Sequence, residues 1–479
     1  MPEHSYDLVT VGMGSAGMVA AEFASTLDIE VAAVERDRVG GDCLWTGCVP
    51  SKALIASAKA AHVIRHADRF GLPAADPAID TERVFQRIRA IQDQLAASDD
   101  SPDRFTAAGV DVHFGAARLV DAHTVAVEGV GELRARFILL CTGSRPAAPP
   151  IDGLAEAGFL TSETLWGIER APTSLIVIGG GPIAIELAQA FVRLGVPTTV
   201  LEREPAILGR EEPELARRLV GRLAGEGVEL QTGVEIERVR IARDPTGTAA
   251  DAAKVVRGTV GGEQREWRAA EIVVAAGRAP NLDGLGLDEV GVETGPRGVV
   301  VDATLRSSVK SIFAAGDVAG RFLFTHSAGY EAAAAVRTMF FPGSGDAPDA
   351  VPWCTFTDPE LAHAGMTEAQ AREVHGEDDV RVWTHDLSHS DRARTEGEAD
   401  GEIRIITAKG RIVGAHALCA GAGELIHELA LAIHERKKLT ELAGLVHVYP
   451  TLSLGIGQLA GDAAYERAGR LGFLVRSRA

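Results

Sequence analysis

A pattern of strand, glycine turn, helix, strand and acid occurs twice in this chain, and it constrains the fold more than any other feature. The first copy begins with an apolar segment at residues 7–11, and its marker residues are Gly12, Gly14, Gly17 and Glu35. Such glycines let the backbone approach a pyrophosphate at a helix N-terminus, and an acid about 20 residues later can bind a ribose hydroxyl. The pattern therefore predicts a dinucleotide-binding fold rather than an ordinary tight turn.

A second copy of this pattern begins at residue 174. Its turn contains Gly179 and Gly181, and its second strand ends in Glu202. Two dinucleotide folds in one chain imply two nucleotide cofactors. An acid at Glu202 favours NADH, because the 2′-phosphate of NADPH would meet like charge there. Arg203 beside it could pair with that phosphate, so NADPH stays an alternative.

Between the two copies lies the cysteine loop, residues 40–52, which reads GGDCLWTGCVPSK and places Cys43 and Cys48 five positions apart. On a regular helix, side chains at this spacing diverge by about 140°, so a disulfide needs a distorted turn, which the flanking glycines permit. Two buried free cysteines are the alternative. Because the loop starts five residues after Glu35, we expect a redox-active pair close to the first nucleotide.

Composition narrows the partners of the chain. It has 479 residues, 67 acidic and 48 basic side chains, and a formal net charge of -19, so neither nucleic acid nor an anionic membrane is expected as a partner. Five cysteines with one close pair do not make a disulfide-stapled secreted scaffold. Apolar runs stay below the roughly 18 residues of a membrane span, and the N-terminus has no signal-peptide pattern. We therefore predict a cytoplasmic protein.

These motifs together resemble the class I pyridine nucleotide-disulfide oxidoreductases, the flavoprotein family of dihydrolipoamide, glutathione and mercuric reductases. The likeness covers essentially the whole chain. Besides the two glycine motifs and the cysteine loop, the matching features are Thr142-Gly143, Glu186 in the helix after the second turn, residues 277–281 (GRAPN), Gly316-Asp317 and residues 357–360 (TDPE).

The resemblance implies FAD in the first fold and NAD(P)H in the second. It assigns the FAD pyrophosphate to the first glycine turn, the adenosine ribose to Glu35 and the ribityl chain to Asp317. The other positions that it implies for cofactor binding are Lys52, Thr142, Gly143, Gly179, Gly181, Glu202, Gly277, Arg278 and Gly316.

The resemblance also implies an α/β fold with two Rossmann-like dinucleotide-binding domains and an α+β C-terminal dimerisation domain. The predicted boundaries are 1–149 and 277–348 for the two parts of the FAD domain, 150–276 for the NAD(P) domain and 349–479 for the dimerisation domain. Residue patterns predict helices at 53–65, 81–97, 328–339 and 424–436. In this family the third domain pairs with a second copy, which implies a homodimer whose subunits complete each other's active sites.

Family roles can be transferred to four residues near the cysteine loop. Cys48 would lie against the flavin and take electrons from it, and Cys43 would be the outer thiol that attacks the substrate. Lys52 and Glu186 would form an ion pair beside the reactive flavin nitrogen. A cation there stabilises the electron-rich reduced ring and helps to hold a neighbouring thiolate.

The C-terminal region departs from the family pattern. Disulfide-reducing members carry a histidine and a glutamate there that protonate the leaving thiol from the partner subunit, but Tyr449 and Leu454 occupy these positions. His447, two residues earlier, is a candidate acid/base if the loop path differs, and otherwise a structural or dimer-contact residue. Tyr449, with an unperturbed pKa of about 10, is a poor base but can donate a proton.

The mercuric reductase pattern is also incomplete. Those enzymes deliver the metal through paired C-terminal cysteines, and the last eight residues here, GFLVRSRA, contain none. Trp45 stands where the family usually has a small polar residue, and Pro182 stands where it often has an aromatic residue. No third ligand accompanies His385 and His389, so no metal site is predicted.

The leading hypothesis is an FAD-dependent NAD(P)H oxidoreductase that relays two electrons through a Cys43–Cys48 disulfide to a small disulfide or other thiol-reactive acceptor. It would resemble mercuric reductase without the C-terminal cysteines. The alternatives are a diaphorase or quinone reductase with direct transfer from the flavin, a dihydrolipoamide dehydrogenase, and a non-catalytic flavin or nucleotide sensor. The remaining cysteines, Cys141, Cys354 and Cys419, are predicted to be core residues.

Overall fold

The computed structural model of the protein describes residues 5–242, 253–343, 347 and 350–470. The predicted boundary at residues 348–349 and the C-terminal segment 472–479 lie outside the described residues, and the predicted domain boundaries stay predictions. The described chain forms two sheets built mainly of parallel strands, each covered by helices, and a five-stranded antiparallel sheet near the C-terminus, with smaller antiparallel sheets beside them. This is the mixed α/β class expected from the sequence.

The first sheet has seven strands. In spatial order six of them are Val110–Phe114, Val31–Glu35, Tyr6–Val11, Gly131–Leu140, Thr124–Val127 and Ala117–Asp121. The seventh, Ile312–Ala314, pairs in parallel with Gly131–Leu140 and so brings a distant part of the chain into the first sheet. The helices of this part are Ser15–Ser25, Gly41–Trp45, Cys48–Arg65, Thr81–Ala96, Pro102–Ala107 and Thr325–Phe340, with short 3₁₀ turns at Ala67–Phe70 and Gly316–Ala319.

The second sheet is parallel and has five strands. In spatial order they are Glu229–Gln231, Thr198–Leu201, Leu175–Ile178, Glu271–Val274 and Leu160–Thr161. An antiparallel sheet of Val234–Ala242, Ala253–Val260 and Glu263–Ala269 packs beside it. The helices are Leu154–Ala157, Pro182–Arg193 and Pro213–Gly225, with 3₁₀ turns at Leu165–Gly167 and Asp288–Val290. Two small strand pairs are Ser144–Pro146 with Arg278–Pro280 and Thr294–Gly295 with Gly298–Val299.

The third sheet is antiparallel and has five strands. In spatial order they are Trp353–Thr355, Glu360–Gly365, Arg411–Cys419, Glu402–Ala408 and Val380–Asp386. Its helices are Glu368–His375, Asp391–Glu396, Ala422–His434, Leu439–Leu442 and Leu454–Arg470, with 3₁₀ turns at Glu377–Asp379 and Leu387–His389.

The packing follows from the apolar pattern of the chain. The strand Leu175–Ile178 is apolar throughout and fully buried, as expected for a parallel strand covered by helices on both faces. Pro182 begins the next helix, where a missing backbone N–H costs nothing. That helix packs against Cys48–Arg65 and thereby sets the second nucleotide turn against the cysteine loop. Within the described ranges, no helix has both the length and the apolar character needed to cross a bilayer.

Candidate functional site

A cavity of about 1900 Å³ runs between the first two sheets and reaches the third. Its walls include both glycine turns, the cysteine loop and the helix N-terminus at Thr325. A volume well above the usual 300–1000 Å³ of a small-ligand pocket suits two extended nucleotides. The structure thus brings the predicted motifs of two separate sequence regions to one cavity.

Cys48 stands at the first position of the helix Cys48–Arg65, and its Sγ atom lies 3.3 Å from the hydroxyl of Thr325. Thr325 in turn begins the helix Thr325–Phe340. A hydrogen bond from Cys43, a second from Thr325 and the charge of Lys52 together lower the pKa of Cys48 to about 6, although burial opposes this. The same hydrogen bond, burial and the charge of Cys48 raise the pKa of Cys43. The thiolate therefore belongs to Cys48, and Cys43 keeps its proton.

Lys52 and Glu186 form the ion pair predicted from the sequence. The Lys52 Nζ atom lies 2.8 Å from Glu186 Oε2, and the backbone N–H of Phe356 donates to Glu186 Oε1 at 2.8 Å. Burial works against the charge on Lys52, but the attraction and hydrogen bond of Glu186 outweigh it and raise the Lys52 pKa. Lys52 is therefore a fixed cation one helical turn beyond Cys48.

The first glycine turn fits a bound dinucleotide. Gly12 has φ +100°, and a Cβ atom there would come within 2.4 Å of the Cys141 carbonyl oxygen, so only glycine permits this backbone path. The Glu35 carboxylate accepts hydrogen bonds from the backbone N–H groups of Met13 and Asp37, both at 2.8 Å. Glu35 is thus held beside the turn, where an adenosine ribose would lie. Gly14 also lines the cavity.

A polar cluster closes the cavity around Asp317. The hydroxyl of Ser144 donates to Asp317 Oδ2 at 2.5 Å and accepts from Arg278 Nε at 2.7 Å, while Arg278 also pairs with Asp42 of the cysteine loop. Burial raises the pKa of Asp317, against the opposing effects of Ser144 and Arg278. Sequence reasoning found Asp317 and Arg278 but missed Ser144 and Asp42, whose only signal was their position next to predicted residues.

Two distant motifs meet at the edge of the same cavity. Thr142 exchanges hydrogen bonds with Asn281, and the Asn281 backbone N–H donates to the Gly143 carbonyl at 3.0 Å. Gly277 begins the segment 277–281 that ends at Asn281. At Gly316 the backbone N–H donates to the buried Glu331 carboxylate at 2.8 Å, a residue that no sequence motif marked.

The second turn fits a nucleotide by the same criteria. Gly179 has φ +118°, and a Cβ atom there would come within 2.4 Å of the Ala275 carbonyl oxygen. Glu202 accepts from the Glu204 N–H at 2.7 Å, and Arg203 pairs at 3.0 Å with the Glu204 carboxylate rather than lying free. Gly181 precedes the helix Pro182–Arg193 and lines the cavity.

Comparison with known proteins decides the family. Residues 6–332 match the model described as pyridine nucleotide-disulphide oxidoreductase, and residues 351–460 match the dimerisation domain of that name. The chain belongs to this family. Its members are FAD-dependent enzymes that use NAD(P)H and a redox-active disulfide, so the predicted recognition, fold class and enzyme class are confirmed.

Two relatives cover nearly the full chain. A mercuric reductase of Streptomyces lividans is 35% identical over 462 residues, 94% of each protein. A dihydrolipoyl dehydrogenase of Halobacterium salinarum is 33% identical over 456 residues, 93% of this chain and 94% of that protein. Among solved structures, the HOCl-induced flavoprotein disulfide reductase RclA of Escherichia coli superposes with a TM-score of 0.82 at 25% identity, covering 95% of this chain and 99% of its own. These relatives differ in substrate, so they leave the acceptor of this family member open.

The two acid/base candidates of this flavoprotein lie apart from its own cysteine loop. His447 is buried, and its Nε2 atom lies 3.1 Å from Glu428 Oε1. Tyr449 is exposed on the dimerisation domain, and its hydroxyl donates to Asp391 at 2.9 Å, which raises the Tyr449 pKa. Sequence reasoning missed Glu428 and Asp391, because nothing local connects them to these residues.

The remaining cysteines divide into two groups. Cys141 and Cys419 are buried as predicted. Cys354 is only half-buried and lines the cavity, so the prediction of a core residue is wrong there. Burial, and to a smaller extent nearby carboxylates, raise the pKa of Cys354, so its thiol carries a proton near neutral pH. In the described part of the chain, no group of three or more His, Cys, Asp or Glu residues is arranged to hold a metal ion.

Proposed function

We propose that this flavoprotein oxidises NADH and delivers two electrons through the Cys43–Cys48 pair to a small disulfide or other thiol-reactive acceptor. The observation that carries the proposal is the environment of Cys48, whose sulfur contacts Thr325 and is stabilised as a thiolate by Lys52. Bound FAD would supply hydride acceptance from the nicotinamide and two-electron transfer to the cysteine pair.

The two cysteines take different parts in this reaction. Cys48, with its pKa lowered to about 6, holds the negative charge at the inner position near Lys52. Cys43, with a raised pKa, keeps a proton and becomes the attacking group when that proton passes to Cys48 through their shared hydrogen bond. Attack by Cys43 breaks the S–S bond of a disulfide acceptor, and the thiolate that leaves takes up the proton held by Cys48. Attack by the Cys48 thiolate on the mixed disulfide then restores the Cys43–Cys48 bond and releases the second thiolate.

The acceptor carries a leaving group that departs without strong help from a general acid. His447 is buried against Glu428 inside its own subunit, and the Tyr449 proton is directed to Asp391. The His447 imidazole is therefore already engaged within its own subunit. This favours acceptors with a good leaving group over lipoamide-like disulfides, whose leaving thiolate has a high pKa and needs a proton.

Stopped-flow reduction by NADH tests the relay. Wild-type protein should take up two electrons per subunit and develop long-wavelength absorbance from the Cys48 thiolate beside the flavin, and Cys48→Ser should lose that absorbance. Cys419→Ala, which removes a buried thiol remote from the cavity, is the control. Unchanged turnover of every disulfide acceptor in Cys48→Ser would contradict the relay.

A quinone reductase or diaphorase is the second candidate, favoured by the same placement of His447 and Tyr449. In that case the acceptor would react at the flavin, and the cysteines would be dispensable. Quinone turnover by a Cys43→Ser/Cys48→Ser double variant at the wild-type rate, together with no turnover of disulfides by the wild type, would establish this alternative.

A further inference from the structure

Three consecutive backbone carbonyls between the two cysteines accept hydrogen bonds from two buried side chains. The Gln92 side-chain amide donates to the carbonyl oxygens of Leu44 at 3.1 Å and Trp45 at 2.8 Å. The indole N–H of Trp166 donates to the carbonyl oxygen of Thr46 at 2.9 Å. The whole stretch from Cys43 to Cys48 is therefore held from outside.

These carbonyls need partners that the loop itself does not provide. The short helix Gly41–Trp45 ends at Trp45, and the carbonyls of a last helical turn have no intrahelical donor. The next helix begins only at Cys48. Leu44 is buried, and a buried carbonyl without a donor is costly. Gln92 and Trp166 satisfy this requirement.

The two donors come from different parts of the fold and are themselves fixed. Gln92 lies on the helix Thr81–Ala96 with 5% of its surface exposed, and Trp166 lies in the 3₁₀ turn Leu165–Gly167 with 6% exposed. Trp166 packs in one apolar cluster with residues from both glycine-motif units, among them Leu54, Phe85 and Leu187. The cysteine loop is thus held by side chains that belong to an apolar cluster shared by the two glycine-motif units.

The other contacts of the loop act on its side chains or on its N–H groups, among them that of Thr46, which donates to the Asp42 carbonyl at 2.9 Å. The indole of Trp45 donates to the Val39 carbonyl at 2.8 Å, and the Arg38 guanidinium lies 4.1 Å from the centre of the same ring. These contacts fix where Trp45 points but do not reach the carbonyl groups between the cysteines. Only Gln92 and Trp166, among the side-chain donors of the described residues, reach the carbonyls of positions 44–46.

We propose that Gln92 and Trp166 are positioning residues that set the thiol–disulfide equilibrium of the Cys43–Cys48 pair. The inference deepens the proposed relay and rests on it for its biological meaning. Closing the S–S bond from the Cys48 thiolate and the Cys43 thiol releases two electrons and one proton, which the acceptor or an external disulfide takes up. A braced backbone keeps the two sulfurs close in the dithiol state and so favours closure.

Removal of the hydrogen bonds from Gln92 and Trp166 affects one redox state of the cysteine pair more than the other. The disulfide ties the ends of the loop together, so removal of an outer hydrogen bond releases little freedom in the oxidised state. The dithiol state has no such tie and gains conformations in which the sulfurs are far apart. The equilibrium therefore moves towards the dithiol, which makes the pair a weaker reductant.

Redox buffers of dithiothreitol, read by alkylation and mass spectrometry of the holoenzyme, measure this equilibrium. Gln92→Met and Trp166→Phe keep the apolar volume and remove the donors, and each should shift the equilibrium towards the dithiol by about three- to tenfold, where tenfold corresponds to about 30 mV for a two-electron couple. Trp383→Phe is the matched control, because its indole also donates a hydrogen bond, to the Thr407 hydroxyl at 3.2 Å, but in the third sheet. It should leave the equilibrium at the wild-type value.

An equilibrium within 1.5-fold of wild type in both variants, or a shift towards the disulfide, would overturn the proposal. If a variant does not fold, hydrogen–deuterium exchange on the wild type decides instead. Amides between Cys43 and Cys48 should exchange equally slowly in both redox states. Fast exchange in the dithiol state would overturn the proposal that Gln92 and Trp166 hold this backbone. Since dithiothreitol sets the redox state here, a failure of NADH to reduce the pair would contradict the proposed function alone.

Discussion

The hydroxyl of Thr325 lies 3.3 Å from the sulfur of Cys48, and both residues stand at the first position of a helix. Helix N-termini carry partial positive charge and favour an anion. Two of them therefore converge on one thiol, with Lys52 as a further cation. This arrangement explains why the inner cysteine rather than Cys43 holds the negative charge.

Removal of the Thr325 hydroxyl should raise the Cys48 pKa. The hydrogen bond stabilises the thiolate, so Thr325→Val is expected to move the pKa from about 6 upward by about one pH unit. The pH dependence of Cys48 alkylation by iodoacetamide, measured on the dithiol protein, reports this change. Thr325→Ser keeps the hydroxyl and should retain the wild-type profile; an unchanged profile in Thr325→Val would show that the contact does not stabilise the thiolate.

Loss of the Lys52 cation should act on the same thiol. Lys52→Met removes a charge that lowers the Cys48 pKa, so the alkylation profile should shift to higher pH, and flavin reduction by NADH should slow by about tenfold. Lys59→Met is the matched control on the same helix, since Lys59 pairs with Asp358 at 3.1 Å outside the cavity. Equal effects of the two substitutions would mean that Lys52 acts only through helix stability.

The sequence predicted those parts of the site whose signal is local. Gly12, Glu35 and the two cysteines lie in short patterns with fixed spacing, and the structure places them at one cavity. Thr325 is 277 positions from Cys48, and Gln92 and Trp166 belong to no motif. Such contacts depend on how separate helices pack, which the order of residues along one segment does not reveal. The roles assigned from the family resemblance stay predictions.

A buried ion pair should link the second nucleotide unit to the third sheet. Arg193 and Asp358 are both nearly buried and lie 2.7 Å apart. Burial would raise the Asp358 pKa, but Arg193 and Lys59 outweigh it and lower the pKa below its ordinary value. Asp358→Asn leaves Arg193 buried without that charge, although Glu226 remains beside it, and should reduce the free energy of unfolding by about 3 kcal/mol.

Chemical denaturation at pH 7 measures this loss. Asp400→Asn, which removes an exposed partner of Arg218, should cost less than about 1 kcal/mol. The wild-type contribution is complete above the ordinary carboxyl pKa of about 3.9 and is lost as the pH falls through the lower folded-state pKa. The difference between wild type and Asp358→Asn should therefore shrink below about pH 4, and a constant difference would contradict the assignment.

Nucleotide preference should depend on two acids at the end of the strand Thr198–Leu201. The glycine motif predicts that Glu202 lies where a 2′-phosphate would bind, and Glu204 holds Arg203 in an ion pair. A Glu202→Ala/Glu204→Ala double variant frees Arg203 and removes like charge, so the ratio of kcat/KM for NADH over NADPH should fall by about tenfold or more. Glu229→Ala, at the neighbouring strand, should leave the ratio unchanged. A wild type that prefers NADPH would contradict the assignment at once.

Restoring a histidine at Tyr449 should increase turnover of disulfides. The tyrosine hydroxyl donates to Asp391, which raises the Tyr449 pKa, so the phenol keeps its proton near pH 7 and provides no base there. An imidazole titrates near neutrality and can both accept and return a proton. The family resemblance predicts that this position faces the cysteine loop of the partner in the proposed homodimer. Tyr449→His should therefore raise kcat with a small disulfide by about tenfold and introduce a pH dependence near 6.5. Tyr449→Phe, which removes the hydroxyl without adding a base, should leave that rate near wild type. Equal rates in Tyr449→His and Tyr449→Phe would show that proton transfer at this position does not limit the reaction.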